Sequence, residues 1–260
     1  VFLCCMPRKF VFLTLIFFYM KLLNIPNLLT LLNLCCGILA SVIVLNGGDI
    51  YSIFSLISIS LIADFLDGMV ARAMKISSPI GKELDSLADV ISFGVTPGLM
   101  MLVLLLNYPI GGNALYTGQI YLTWLSLIGL MIPAFSALRL AKFNIDNEQS
   151  TYFKGLATPS NTLLIFSIFY IAQTKGQLIS TTYDWLLLIA ITVICSFLLI
   201  ADLPLFALKF KGFAWRDNYY KYIFLMISLV LLIFFKFYAI PFIILLYIIT
   251  SIIYKKEIIK

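Results

Sequence analysis

The chain has 260 residues, of which 62% are hydrophobic and 12% are charged, and its mean hydropathy is +1.07. Soluble globular domains carry about 25% charged residues, so the composition excludes that class and favours an integral membrane protein. The net charge of +6 is therefore interpreted through membrane topology and not as a surface for binding nucleic acid.

The first segment, residues 1–19, allows two interpretations. Residues 10–20 form an apolar run after Arg8 and Lys9, as in a signal peptide, but no small-residue cleavage site follows. Met20 opens the next segment. We expect residues 1–19 to be an upstream extension of the reading frame that is not made in the cell, or else an interfacial or additional helix.

Long apolar runs recur through the rest of the chain. They predict an all-α polytopic membrane protein with about eight transmembrane helices. The first begins near Pro26, since proline is favoured in the first helical turn. A segment rich in aromatic and basic residues, 204–222, is typical of a membrane interface. The predicted spans are roughly residues 28–46, 50–72, 81–106, 120–141, 160–173, 184–202, 221–235 and 238–254.

The basic residues test this topology. With the amino terminus in the cytoplasm, only Lys175 and Lys236 of the 18 lysines and arginines fall outside, which leaves 16 on the cytoplasmic side. Cytoplasmic loops of membrane proteins carry such an excess of positive charge. The pattern predicts eight spans in a cytoplasmic membrane of the bacterial type, with the end of the second span at the cytoplasmic face.

Four aspartates lie close together around that end. Asp64 and Asp67 share one helix face with Gly68 and Ala71, and Asp85 and Asp89 share a face of the next span. If the two faces meet, four carboxylates converge. Unpaired charges at membrane depth cost about 2.5–3.5 kcal/mol each on insertion scales.

Divalent cations would remove this repulsion. Oxygen ligands suit Mg²⁺, Mn²⁺ or Ca²⁺, whereas Zn²⁺ prefers His or Cys, and neither occurs in the stretch. Two Mg²⁺ or Mn²⁺ ions bound in this way commonly serve phosphoryl chemistry. Arg72 supplies a cation for a phosphate oxygen. A structural ion-pair cluster is the alternative, but few basic partners lie within reach.

The full pattern, D-x2-D-G-x2-A-R-x8-G-x3-D-x3-D from Asp64 to Asp89, resembles the motif of the CDP-alcohol phosphotransferases at every fixed position. The chain from Met20 is most similar to the phosphatidylserine synthase branch. That similarity rests on four further segments, residues 25–33, 92–97, 139–144 and 153–159. Ala157 departs from it, because proline is common there.

The resemblance implies a reaction and roles for individual residues. A small alcohol attacks the β-phosphorus of a CDP-linked lipid and CMP leaves, here with CDP-diacylglycerol as donor and L-serine as acceptor. The four aspartates would be metal ligands, with Asp89 also the base, and Asp85 and Arg72 would take part in catalysis. Residues expected to contact the nucleotide, diphosphate or acceptor are Asn27, Thr30, Gly68, Arg72, Ser78, Gly81, Arg139 and Asn144.

Several of these roles have plain structural alternatives. Asn27, Thr30 and Ser78 would serve equally well in helix caps and turns. Arg139 is either a topology anchor or, if it faces inward, a bidentate ligand for the serine carboxylate.

The resemblance also implies a six-helix core over residues 20–202, followed by an interfacial segment and two helices over 203–260, and a homodimer. Glycerol 3-phosphate or inositol phosphate as acceptor would favour a more basic pocket. A divalent-cation transporter, a function of another class, would place its acids near the bilayer midplane in broken helices.

Overall fold

A computed structural model describes residues 23–75, 78–106, 124–145, 152–175, 184–206 and 215–255. Within these ranges the chain forms eight helices and one short pair of strands. In chain order they are α1 (Ile25–Leu45), α2 (Ile50–Ala73), α3 (Pro79–Leu106), α4 (Ser126–Ile145), β1 (Tyr152–Lys154), α5 (Thr158–Lys175), α6 (Asp184–Ile200), β2 (Pro204–Phe206), α7 (Trp215–Phe235) and α8 (Ile240–Ile253).

The all-α membrane prediction is confirmed. Five segments are long and apolar enough to cross a bilayer: α1, α2, α3, α4 and the 36-residue stretch Asn218–Ile253, which takes in most of α7 and all of α8. Helix α6 is apolar but shorter. The number of membrane crossings stays a prediction, and residues 1–19 lie outside the described residues.

Element boundaries differ from the predicted ones by a few residues. Helix α1 begins at Ile25, which confirms the helix start predicted around Pro26, and Asn24 caps it by accepting a hydrogen bond from the Asn27 amide at 2.9 Å. Helix α7 begins at Trp215 inside the segment predicted to be interfacial. The strands were not predicted; they are only three residues long and pair antiparallel, with Phe153 opposite Leu205.

Helix α3 contains one turn of π-helix, Ile91–Val95. Pro97 explains it, because proline has no amide hydrogen to donate to the carbonyl of Phe93 four residues earlier. The Thr162 hydroxyl on α5 donates to that carbonyl instead, at 3.1 Å. The proline therefore frees a backbone acceptor that joins α3 to α5.

Small residues bring α3 and α4 close together. A Cβ added to Gly94 would lie 3.0 Å from the Ser136 Cβ, and one added to Gly98 would lie 3.1 Å from the Gly129 carbonyl oxygen. A glycine every fourth residue is the usual means of close helix packing in membranes. This approach places the residues of α4 directly beside the π-turn.

The apolar core and the acidic residues occupy opposite ends of the bundle. Ala40 and Val44 come from the end of α1, Ile53 from the beginning of α2, and Met101 from the second half of α3. Phe237, between α7 and α8, packs on Phe54 and Phe166 at this apolar end. The last turns of α2 and the first turns of α3, which carry the aspartates, thus lie at the other, polar end.

Helices α7 and α8 form an antiparallel hairpin. Tyr220 near the start of α7 stacks on Tyr254 just beyond α8, with ring centroids 5.1 Å apart. Phe224 lies beside Tyr247 one to two turns further in. The Tyr247 hydroxyl donates to the Phe206 carbonyl of β2 at 2.9 Å, so the hairpin is tied to the polar end of the bundle.

Candidate active site

The aspartates of α2 and α3 meet. Asp64, Asp67 and Asp85 each offer one carboxylate oxygen, and these oxygens lie within 4.8 Å of one another. Asp89, one turn further along α3, contacts Asp64 through its carboxyl group. All four predicted acidic residues therefore belong to one cluster, and α2 and α3 pack with their acidic faces together.

The cluster has the chemistry of a divalent-cation site. None of the four carboxylates forms an ion pair with a lysine or arginine in the described part of the chain. The Oδ1 atom of Asp85 is buried and has no hydrogen-bond partner among the described residues. Buried carboxylates without counter-charges destabilise a fold, and an all-oxygen ligand set suits Mg²⁺ or Mn²⁺. The residues present fit such ions.

Helix α1 orients the acidic cluster from one side. The Thr30 hydroxyl donates to Oδ2 of Asp67 at 2.6 Å, and the Asn33 amide donates to Oδ1 of Asp89 at 3.2 Å. The Asn33 oxygen in turn accepts a short hydrogen bond from the Ser60 hydroxyl on α2. Hydrogen bonds of this kind fix the rotamers of metal-binding carboxylates. Thr30 is thus bonded to the cluster itself.

Asn33 and Ser60 were absent from the predicted site. The sequence does hold a signal for Asn33: α1 buries Asn27, Thr30, Asn33 and Ser41 at helical spacing and exposes leucines. In a membrane helix, a polar stripe of this kind marks the face that packs against other helices. Ser60 carries no comparable signal, because serine is frequent along α2.

The two predicted glycines differ in the space around them. Nothing lies within 4 Å of a Cβ added to Gly68, whereas one added to Gly81 would meet the Asn27 side-chain oxygen at 3.1 Å. Asn27 and Gly81 are therefore neighbours across α1 and α3. Ser78 caps α3, and its hydroxyl accepts a hydrogen bond from the Gly81 amide at 3.4 Å. Its capping role is thus visible in the structure.

The two predicted arginines lie in different environments. Arg72 is exposed in the last turn of α2. Arg139 on α4 is only 8% exposed, lies in electrostatic range of Asp89, and donates from Nη1 to the Thr158 hydroxyl at 3.4 Å. Its Nε has no hydrogen-bond partner among the described residues. A buried guanidinium with a free donor is typical of an anion-binding group.

Asn144 lies apart from Arg139. Its side-chain amide donates to the Ser86 hydroxyl at 2.8 Å, and its backbone carbonyl accepts from Lys82 Nζ at 3.0 Å. Lys142 forms an exposed ion pair with Asp202 at 2.6 Å. These contacts join the end of α4 to the beginning of α3 and to the residues after α6.

Comparison with known proteins adds the family. A model of the CDP-alcohol phosphatidyltransferase family matches residues 23–201. The chain is 39% identical over 146 residues to the CDP-diacylglycerol–serine O-phosphatidyltransferase of Methanocaldococcus jannaschii, covering 56% of this chain and 60% of that protein. It is 36% identical over 149 residues to the Bacillus subtilis enzyme of the same name, covering 56% and 76%.

The enzyme of that name from Mycobacterium tuberculosis is 29% identical over 189 residues, covering 70% of this chain and 60% of the relative. The chain thus spans about 60% of the length of several of the curated relatives that it matches. The family model covers well over half of the chain and includes the whole acidic cluster. The chain belongs to the CDP-alcohol phosphatidyltransferase family.

Proposed function

We propose that the protein transfers the phosphatidyl group of CDP-diacylglycerol to the hydroxyl of L-serine and releases CMP. The observation that carries this proposal is the convergence of Asp64, Asp67 and Asp85, whose oxygens lie within 4.8 Å of one another without a basic partner in the described residues. Relatives named CDP-diacylglycerol–serine O-phosphatidyltransferase support serine as the acceptor.

In this proposal the four aspartates would hold two divalent cations, Mg²⁺ or Mn²⁺. When bound, these cations offset the charge of the diphosphate and of the departing CMP. Asp89 accepts the proton of the serine hydroxyl while the serine oxygen bonds to the β-phosphorus and the bond from that phosphorus to CMP breaks. Thr30 and Asn33 keep the carboxyl groups of Asp67 and Asp89 in position.

The donor substrate would lie along the faces of α2 and α3 next to the acids. The open space beside Gly68 admits the nucleotide close to the helix backbone. Asn27, Gly81 and Ser78 are neighbours at the start of α3 and would contact the nucleotide or diphosphate. Arg72, exposed at the end of α2, would hold a phosphate of the lipid donor.

The acceptor would lie on the opposite side of Asp89, next to Arg139. A single guanidinium in contact with the neutral Thr158 hydroxyl suits one carboxylate. A phosphate dianion, as in glycerol 3-phosphate or inositol phosphate, would favour a second basic group. Asn144 stays a further proposed acceptor contact. The family favours a phosphoryl-transfer enzyme over a cation transporter.

We further propose that the protein acts as a homodimer in a bacterial-type cytoplasmic membrane, with its active site at the cytoplasmic face. The excess of basic residues predicted for that side supports this orientation. The lipid substrate would then enter from the bilayer and CMP would leave into the cytosol.

One experiment tests the proposal. The purified protein is supplied with CDP-diacylglycerol and Mn²⁺, and CMP release is measured with L-serine, glycerol 3-phosphate, inositol phosphate or no acceptor. We expect release that depends on both serine and metal. Release with a phosphorylated acceptor alone would reassign the substrate, and no release with any acceptor would refute the activity.

A further inference from the structure

The α7–α8 hairpin lies beyond residues 23–201, the part of the chain that matches the family model. Much of its surface consists of exposed apolar side chains, as in helices that face lipid. By composition alone the hairpin would therefore be a membrane anchor. Two polar side chains of α8, Tyr247 and Ser251, instead contact the short strand β2 of the bundle.

Both backbone polar groups of Phe206, the last residue of β2, are bound by α8. The Tyr247 hydroxyl donates to the Phe206 carbonyl at 2.9 Å, and the Ser251 hydroxyl accepts a longer hydrogen bond from the Phe206 amide at 3.5 Å. The Phe206 ring also packs edge-on against the Tyr247 ring, with centroids 4.8 Å apart. Helix α8 thus fixes the position of this strand through one residue.

Strand β2 in turn fixes the chain just before α5. It pairs with β1, and the Gly155 amide after β1 donates to the Leu203 carbonyl before β2 at 3.0 Å. Gly155 has a φ of +79°, in the left-handed region that favours glycine, and a Cβ there would lie 2.5 Å from the Leu199 carbonyl oxygen. The chain therefore turns tightly over the end of α6.

The next residue, Leu156, connects this turn directly to α8. It is buried in one apolar cluster with Leu205 of β2 and Ile244 of α8. Helix α5 begins two residues later, at Thr158. The position of the first residue of α5 is therefore set by contacts with both β2 and α8.

These contacts end at the buried arginine. Arg139 on α4 donates from Nη1 to the Thr158 hydroxyl at 3.4 Å and lies in electrostatic range of both Asp89 and Tyr247. One turn after Arg139, Lys142 pairs with Asp202, two residues before β2 begins. The segment 202–206 thus contacts α4 on one side and α8 on the other.

We propose that the α7–α8 hairpin is a functional part of the active site and not only a membrane anchor. Through Phe206, Tyr247 holds the start of α5 and, with it, the guanidinium of Arg139 in position relative to Asp89. Tyr247 is a positioning residue that acts through Arg139. A small misplacement of a binding group can cost about 100-fold in rate, even when its cause lies far from the chemistry. This inference rests on the proposed function, whose reaction its test measures.

The test is Tyr247→Phe, which removes the hydroxyl and keeps the ring. Two controls change the opposite end of the same hairpin: Tyr238→Phe, whose hydroxyl lies 3.5 Å from the Thr174 hydroxyl, and Phe237→Leu, which weakens the packing on Phe54 and Phe166. The purified full chain with Mn²⁺ is assayed for kcat, for the KM of each substrate and for the melting temperature. Each substitution is also combined with Arg139→Lys in a double-mutant cycle.

We expect Tyr247→Phe to lower kcat/KM for L-serine about 2- to 12-fold, as for one hydrogen bond between neutral groups, chiefly through the KM for serine. The melting temperature should fall by about 2–4 °C. Phe237→Leu should lower the melting temperature at least as much, and both controls should keep the wild-type KM for serine. In the Arg139→Lys background, Tyr247→Phe should cause little further loss, because the two residues act on one function.

Three outcomes would overturn the inference. Wild-type serine kinetics in Tyr247→Phe would leave the hairpin a purely structural role. Equal losses of serine kinetics in Tyr247→Phe and Phe237→Leu would mean that general destabilisation is the cause. Effects of Tyr247→Phe and Arg139→Lys that multiply would show that Tyr247 does not act through Arg139.

Failure of the proposed function gives a different result. A wild-type protein that releases CMP with another acceptor but not with serine would refute serine as the substrate, and the same cycle with that acceptor would then decide the role of Tyr247. A wild-type protein that releases no CMP with any acceptor would refute both proposals. Active wild type with an unaffected Tyr247→Phe variant would refute the role of the hairpin alone.

Discussion

Gly68 offers a sharp test because stability and activity should change in opposite directions. It lies in the interior of α2, one residue after Asp67, and no atom lies within 4 Å of a Cβ added there. Glycine in a helix interior is about 0.8–1.0 kcal/mol less favourable than alanine. Gly68→Ala should therefore stabilise the protein by about 0.5–1 kcal/mol, since the added methyl group displaces nothing.

The same methyl group should impair use of the donor substrate. If the nucleotide of CDP-diacylglycerol occupies the space beside Gly68, the added Cβ acts like an extra methylene in a filled cavity, at about 1–3 kcal/mol. The corresponding loss in kcat/KM for CDP-diacylglycerol is roughly 5- to 150-fold. The KM for serine should change little, because the proposed acceptor pocket lies beyond Asp89.

The assay combines a melting curve of the detergent-purified protein with CMP release at varied CDP-diacylglycerol. Gly37→Ala is the matched control, because its Cβ would lie 2.6 Å from the Ser92 Cα and would push α1 from α3. It should lower stability by about 1–3 kcal/mol. A stabilised Gly68→Ala protein with wild-type donor kinetics would show that Gly68 faces lipid and not the nucleotide.

Four further predictions address the acids, the metal and the acceptor. Replacement of any one of the acidic residues by asparagine should abolish turnover in a protein that still inserts and folds, and wild-type activity in any two variants would contradict the shared centre; the residues are Asp64, Asp67, Asp85 and Asp89. EDTA should abolish CMP release and Mg²⁺ or Mn²⁺ should restore it, so full activity in protein with less than stoichiometric metal would exclude the cation role. Thr30→Val should weaken metal binding about 10- to 100-fold, as for loss of a hydrogen bond that orients a ligand, and a metal titration measures this directly. Arg139→Lys should lower kcat/KM for serine about 10- to 150-fold, from about 1.5–3 kcal/mol for a lost charge-assisted hydrogen bond, with little change in the KM for CDP-diacylglycerol; unaltered serine kinetics would return Arg139 to the role of a topology anchor.

The helices could be predicted well because a membrane helix is defined by its own stretch of sequence. Each needs a long apolar run, and the ends of α2 and α6 follow directly from where those runs begin and stop. The start of α7 was predicted six residues late, at 221, because polar and charged residues occupy its first turns. The short strands escaped prediction, since three residues are too few for a periodic signal.

The acidic cluster was also predictable, for a related reason. Its members are separated by three or four residues within each helix, so the helical repeat alone places them on shared faces. The spacing of residues within one helix does not predict which other helices complete the site. Asn33 is 56 residues from Asp89, and Thr158 is 19 residues from Arg139, with a strand between them. Such pairs depend on packing across the bundle, which a single sequence does not specify.

Pro97 is a local sequence feature that determines a contact between distant helices. It is a local feature, yet its main effect is on a distant contact, because it releases the Phe93 carbonyl to Thr162 and widens the α3 helix into a π-turn. That turn begins two residues after Asp89 and packs against both α4 and α5. A regular α-helix there would keep the Phe93 carbonyl within α3 and would rotate Asp89 by a different angle relative to Gly94. The proline therefore determines the orientation of Asp89, the proposed proton acceptor, relative to Arg139, the proposed ligand of the acceptor.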